Sequence, residues 1–228
     1  MCKLIKQDLK GKKFVASYSG GKDSTLAIYR AIKAGLEPLS LIITYNKDKN
    51  ISWFHGIPDK LLKNISNSLN IPIWFIETNG EEYTKNFEKS LKKAKDLGAD
   101  VCIFGDIDIE GHLKWCTKRC ENVGLEAWFP LWKEDRKSIV YEFLESGFVA
   151  NFTVINNEKL SDRFLGMTMT KEICKQIEEE GADICGENGE YHTFVSDGPI
   201  FKEKVNFKLD KKIIEKTYSI MPILPYID

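Results

Sequence analysis

No stretch of these 228 residues stays apolar for the ~20 positions that a membrane-spanning helix requires. None of the six cysteines, at positions 2, 102, 116, 120, 174 and 185, forms a C-x-x-C pair. The first absence argues against a membrane span, and the second removes zinc ribbons and thioredoxin-type redox motifs. The N-terminal MCKLIKQDLKGKK is basic but carries no apolar run of signal-peptide length, so a cytoplasmic protein with reduced, mostly buried cysteines is expected. Internal repeats and low-complexity linkers are missing too. So is any strongly basic stripe: the net charge is −1, which disfavours a large nucleic-acid footprint.

What is present is the composition of a globular protein, with 43% apolar and 29% charged residues. The length suits one large domain or two small ones. Residues 1–124 hold 20 basic against 15 acidic side chains, and residues 125–228 hold 13 against 19. A front half that attracts a polyanion would have this asymmetry, as would chance on a lysine-rich chain.

Apolar runs at FVASY (14–18), PLSLIITY (38–45), IPIWFIET (71–78) and ADVCIFGDI (99–107) predict buried strands. Helical patterns separate them: STLAIYRAIKAG stopping at Gly35, PDKLLKNISNSLN with Pro58 in its first turn, and EEYTKNFEKSLKKAKDLG stopping at Gly98. Residues 46–57 read as a polar loop. Unalternating apolar strands between helices predict a doubly wound α/β domain with a parallel sheet over 1–124. The remainder, 125–228, reads as a smaller α+β domain, with helices in DRKSIVYEFLESG and TKEICKQIEEEG, a strand in FVANFTVI, and two closing strands in the tail.

Between the first strand and the first helix stands Ser19-Gly20-Gly21-Lys22-Asp23-Ser24. Glycines let backbone N–H groups converge on one point, and a helix N-terminus adds free N–H groups and positive potential, so the stretch suits a phosphate. Ser19 and Ser24 offer hydroxyl donors and Lys22 a mobile positive charge. Asp23 repels phosphate unless a cation intervenes, which makes it a Mg²⁺ ligand. The stretch is neither a Walker A loop nor Gly-x-Gly-x-x-Gly; an ordinary strand-to-helix turn with Ser24 as N-cap is the bland alternative. Ligands of such sheets sit beyond the carboxyl ends of the strands, where Gly105 and Asp106 also fall.

The pattern Ser-Gly-Gly-x-Asp-Ser resembles the PP-loop of the N-type ATP pyrophosphatases. That resemblance implies an adenine-nucleotide α-hydrolase-like (Rossmann-like) domain that binds ATP with Mg²⁺, forms an AMP ester of its substrate and releases pyrophosphate. A second cluster, GADICGENGEYHTFV, crowds Gly186, Glu187, Asn188, Gly189, Glu190, Tyr191, His192 and Thr193 together. It is too polar for a core and suits a pocket with acid/base groups. Gly186-Glu187-x-Gly189-Glu190-Tyr191-x-Thr193-Phe194, together with SGGKDS, HGIP (55–58), GDI (105–107), PLW (130–132) and FLG (164–166), resembles the diphthine–ammonia ligase (diphthamide synthetase) family over nearly the whole chain.

The resemblance implies ATP-dependent adenylation of the carboxylate of diphthine on elongation factor 2, or of a related small carboxylate, followed by amidation with ammonia. It places His55, Gly105 and Asp106 beside the nucleotide with Ser19–Ser24. Catalysis falls to Lys22, Asp23, Glu187, Glu190 and His192, and the acceptor faces residues 186–193. No glutaminase-like nucleophile elbow is present and Cys2 alone does not make one, so free ammonia is the simpler donor. A PP-loop tRNA-modifying enzyme and a non-catalytic ATP or AMP sensor are the alternatives, and the oligomeric state stays open, a homodimer being one option. His112, Cys116 and Cys120 share a helical face without an evident fourth metal ligand, so buried packing is favoured over a metal site.

Overall fold

The computed structural model describes residues 9–53, 55–78 and 80–226; Cys2 lies outside them. The first strand, β1 (Lys13–Ser17), leads into α1 (Lys22–Lys33), which ends before Gly35 at a φ of +87°. Then come β2 (Glu37–Asn46), β3 (Ile51–Ser52), α2 (Asp59–Leu69), β4 (Ile73–Glu77), α3 (Tyr83–Asp96), β5 (Val101–Ile103), α4 (Glu110–Val123) and β6 (Glu126–Trp128). β4, β2, β1, β5 and β6 pair in that order, all parallel. Pro58 is the N-cap of α2 and stands just outside its first turn. β6 lies beyond the boundary expected near residue 124 and still belongs to this sheet, through its pairing with β5.

Each strand sends alternate residues to opposite faces. Phe14, Ala16, Leu41, Ile43, Val101 and Ile103 enter one apolar layer with Leu26, Ile28, Leu61 and Ile65 of α1 and α2. Val15, Ile42 and Cys102 enter the other, with Phe87 and Leu91 of α3 and Cys116 and Cys120 of α4. The sheet is therefore covered on both faces, as the unalternating apolar runs require. Each large side chain moved from water into these layers contributes about 1.5–3 kcal/mol. Cys116 and Cys120 are packing residues. His112 turns elsewhere, and no group of three potential metal ligands occurs among the described residues.

The loop expected over 46–57 contains β3, which pairs antiparallel with Tyr45 and Asn46 of β2. Tyr45 also pairs with Glu77 of β4, so β3 must use the opposite edge of β2. That edge carries β1 as far as Ser17. The β2–β3 hairpin therefore folds over the carboxyl end of β1 and brings His55 above the glycine-rich turn.

The second half continues with α5 (Arg136–Glu145), β7 (Val149–Asn156), α6 (Lys171–Glu179) and β8 (Tyr191–Asp197). The tail forms four short strands where two were expected: β9 (Phe207–Leu209), β10 (Ile213–Ile214), β11 (Tyr218–Ile220) and β12 (Ile223–Pro225). An antiparallel sheet runs β10-β11-β7-β8, and β9 pairs with β12. Phe143, Phe148, Phe152 and Phe194 join the apolar layer on the α1 face. Arg30 of α1 reinforces that contact by reaching Glu142 at 3.0 Å and Glu134 at 2.7 Å. No helix among the described residues is long and apolar enough to cross a membrane.

Candidate active site

Chain connections leave β1 and β5 in opposite directions, so the parallel sheet has its topological switch point between them, where open α/β sheets bind their ligands. A cavity of about 350 Å³ lies there. The Ser19–Ser24 turn and the Gly105-Asp106 segment line it from the first sheet, and Cys185, Gly186, Glu187 and residues 191–193 line it from the second half. All three histidines of the chain, His55, His112 and His192, also line it.

Close approach explains the glycines. Gly20 takes a φ of +87°, and a Cβ on it would stand 2.3 Å from Ile57. A Cβ on Gly21 would meet the His55 ring at 2.7 Å, and one on Gly105 would stand 2.7 Å from the Ser24 backbone nitrogen. The end of β5 thus presses on the first turn of α1. The N-cap of that helix is Gly21, so Ser24 is not its N-cap. The Ser19 and Ser24 hydroxyls work inside the turn: Ser24 Oγ donates to the Gly21 carbonyl at 3.1 Å and accepts from Ser19 N–H at 3.3 Å, while Ser19 Oγ accepts from Gly21 N–H at 3.2 Å. They hold the shape of the turn itself, where hydroxyl donors to a phosphate are expected from the sequence.

Lys22 differs from the mobile charge expected of it. Its side chain is buried, with Nζ 2.7 Å from both Asp23 carboxylate oxygens and 3.6 Å from Cys185 Sγ. Burial opposes the ammonium, but the Asp23 carboxylate, by charge and hydrogen bond, outweighs it, and the pKa of Lys22 rises well above the ordinary lysine value. Burial pushes the Cys185 thiol up to about 12, with Lys22 pulling the other way, so this sulfur packs against Lys22 as an un-ionised group.

β8 is fastened to the turn. Val195 N–H donates to the Gly20 carbonyl at 2.9 Å, and Lys22 N–H donates to Thr193 Oγ1 at 3.1 Å. The Thr193 carbonyl accepts from His55 Nδ1 at 2.8 Å. Because a carbonyl only accepts, His55 carries its proton on Nδ1 and leaves Nε2 bare. The His192 ring lies 4.8 Å from that of His55, centre to centre. Burial, His192 and Lys22 together lower the His55 pKa to about 3, and burial and Lys22 lower that of His192.

The residues of the 186–193 cluster separate in role. Glu187 lines the cavity, and burial together with Asp23 raises its carboxyl to about 7. Glu190 is buried outside the cavity lining, where its carboxylate accepts from the Asn188 backbone at 3.0 Å and the Asn188 amide at 3.1 Å. Its bonds to Asn188 shape the turn, contrary to the expected catalytic position. Tyr191 donates its hydroxyl to the Ile184 carbonyl, and its ring fills the space where a Cβ of Gly186 would sit. Asn188 is exposed and accepts from Arg136 at 3.1 Å.

Arg136 was not singled out by sequence. Its guanidinium grips Asp108 with two bonds of 2.8 Å and Asp183 with one of 2.6 Å, and so ties the segment after β5 to the segment before Gly186. A lone arginine in DRKS carries no local signal of that task, and neither does Cys185. His112, expected to pack in the interior with Cys116 and Cys120, is exposed instead; it stands in the first turn of α4 with Nδ1 2.9 Å from Asp106.

The raised Glu187 carboxyl sets a stability prediction. The folded chain holds this proton up to about pH 7, while an unfolded one releases it near 4.5. Stability therefore falls as pH rises between those values. Glu187→Gln is expected to melt above the parent at pH 8 and level with it below pH 4.5. A melting difference independent of pH would refute this.

A parallel open sheet with a glycine-rich strand-to-helix turn at its switch point is the architecture of α/β nucleotide-binding proteins. Residues 12–127 match the family model described as the diphthamide synthase N-terminal domain, and residues 135–226 match its C-terminal domain. The chain belongs to the diphthamide synthase family. The diphthine–ammonia ligase of Danio rerio is 22% identical over 92% of this chain and 91% of its own length. The Homo sapiens protein of the same name is 27% identical over 91% and 87%. A solved structure described as a predicted subunit of tRNA methyltransferase from Methanocaldococcus jannaschii aligns with 85% of this chain and all of its own, at 16% identity and a TM-score of 0.47, too loose a likeness to argue from.

Proposed function

We propose that this chain is an ATP-dependent, AMP-forming amide ligase of the cytoplasm that adenylates a carboxylate and passes the acyl group to ammonia. The acceptor is diphthine on elongation factor 2, the substrate class in its relatives' name, or a related small carboxylate. The observation that carries this reading is the fastening of the glycine-rich turn to the 186–193 segment by the Val195–Gly20 and Lys22–Thr193 bonds, which brings the turn and Glu187 into one cavity.

ATP fits the turn as a co-substrate, because Ser19, Gly21, Lys22, Asp23 and Ser24 line the cavity at the N-terminus of α1, where first-turn backbone N–H groups and positive potential suit phosphate. Asp23 is the residue that would hold Mg²⁺, since its carboxylate is part-exposed on the cavity wall beside the turn, and the ion would neutralise phosphate charge there. A carboxylate oxygen of the acceptor attacks the α-phosphorus and pyrophosphate departs. Lys22 stabilises the charge that develops on the leaving phosphate, in a setting where burial strengthens its field. Glu187 in its protonated form donates a hydrogen bond to the acceptor carboxylate, which an ionised wall would repel. His55 and His192, held neutral, present hydrogen-bonding nitrogens without adding charge.

The test is an assay with labelled ATP, ammonium and elongation factor 2 bearing diphthine, following AMP and the mass of the acceptor. AMP formed in step with conversion of acid to amide is the expected result. ATP bound with no AMP produced, on this acceptor and on small carboxylates, would overturn the reading.

A further inference from the structure

An amide-forming step needs a proton acceptor for the attacking nitrogen, and the cavity narrows the choice. His55 uses Nδ1 on the Thr193 carbonyl and stands under the His192 ring. His192 has no carboxylate to orient it among the hydrogen bonds of the described residues, and burial and Lys22 lower its pKa against the opposing pull of Asp23. Glu190 is used on Asn188. His112 is different. Its Nδ1 lies 2.9 Å from Asp106 Oδ1, and the side chain is 58% exposed at the mouth of the cavity, while Asp106 beneath it is 22% exposed. An ionised carboxylate accepts only, so Nδ1 carries the proton and Nε2 presents a lone pair. Ile109, whose carbonyl accepts the His112 N–H at 3.0 Å, anchors the ring's backbone on the same cavity wall. A base oriented by a half-buried acid, in reach of both solvent and cavity, is the arrangement general-base catalysis uses.

We propose that His112, oriented by Asp106, is the base of the ammonia step, an inference that rests on the amide-ligase reading above. The ammonia nitrogen adds to the acyl carbon of the adenylate. The C–O bond to AMP breaks and AMP leaves with its electron pair. One N–H proton passes to His112 Nε2, which returns it to water through its exposed edge. Asp106 is a positioning residue that fixes the tautomer and ring direction.

The experiment compares His112→Ala and His112→Gln with the parent in two assays on the same acceptor: amide formation, and acceptor-dependent exchange of pyrophosphate into ATP. Amide formation is expected to fall about 10²-fold, far more than exchange falls. Added imidazole should restore amide formation in His112→Ala, with the restored rate rising with the basicity of a substituted imidazole. Asp106→Asn should slow amide formation by the parent more than it slows exchange. Amide formation by His112→Ala within a factor of about two of the parent would overturn the inference and leave the ligase reading standing. Equal losses in both assays, or no response to imidazole, would also overturn it. A parent that forms no amide would instead remove the ligase reading, and this inference with it.

Discussion

Lys22→Met is expected to cut AMP formation about 10²–10³-fold while keeping Tm close to that of the parent. Asp23→Ala should match that loss of activity and also lower Tm by roughly 6–12 °C. The contrast follows from which partner is buried. The Lys22 side chain is 4% exposed and the Asp23 side chain 28%. Removing Asp23 leaves the ammonium with a thiol 3.6 Å away and an aromatic face 5.7 Å away, and a buried charge without its counter-ion costs about 3 kcal/mol or more. Removing the charge of Lys22 leaves Asp23 in contact with water, and a methionine of similar length fills the space. Thermal melts beside an AMP assay check both halves. Two variants that melt alike would show that the pair is not the asymmetric one described, and AMP formation kept by Lys22→Met would dismiss its role in charge stabilisation.

The same pair marks how far the sequence could be read. The parallel sheet was legible because β1, β2 and β5 are buried on both faces and so carry unbroken apolar runs such as FVAS and SLII. The position of the glycine-rich turn was legible because a strand, two glycines and a helix follow one another without a gap. A two-residue strand such as β3 has no periodicity to detect, and the tail's short strands are set by pairing with β7 and with one another. Side-chain direction was the harder quantity. Nothing local says that Lys22 turns inward to Asp23, that Glu190 folds back onto Asn188, or that Arg136 joins Asp108 to Asp183. These directions depend on contacts between segments far apart in the chain. The meeting of Gly20 with Val195 rests on no spacing rule, and only the family resemblance implied that the two motifs share a site.

Gly105→Ala is the change with the largest effect for the fewest atoms. Gly105 does not adopt a positive φ, so alanine suits its backbone and the whole effect comes from the added methyl. That methyl would lie 2.7 Å from Ser24 N, 2.9 Å from the Asp23 carbonyl carbon and 2.9 Å from Ser24 Cα. All three are backbone atoms in the first turn of α1. No side chain can rotate away, so β5 and α1 must separate where the proposed phosphate cradle lies. Overpacking of this kind costs about 1–3 kcal/mol. Catalysis should suffer more, since a displacement near 1 Å of a positioning element costs about 10²-fold. The expected variant is a folded protein of lowered Tm whose AMP formation falls at least about 10²-fold at saturating ATP. Gly20→Ala gives a useful contrast, because its methyl would meet the flexible end of Ile57 at 2.3 Å. Pairing it with Ile57→Ala should recover part of its loss, up to the strain left by the positive φ, whereas no single side-chain truncation should rescue Gly105→Ala. A Gly105→Ala enzyme with parental AMP formation would mean that the contact between β5 and the α1 N-terminus does not set the geometry of the site.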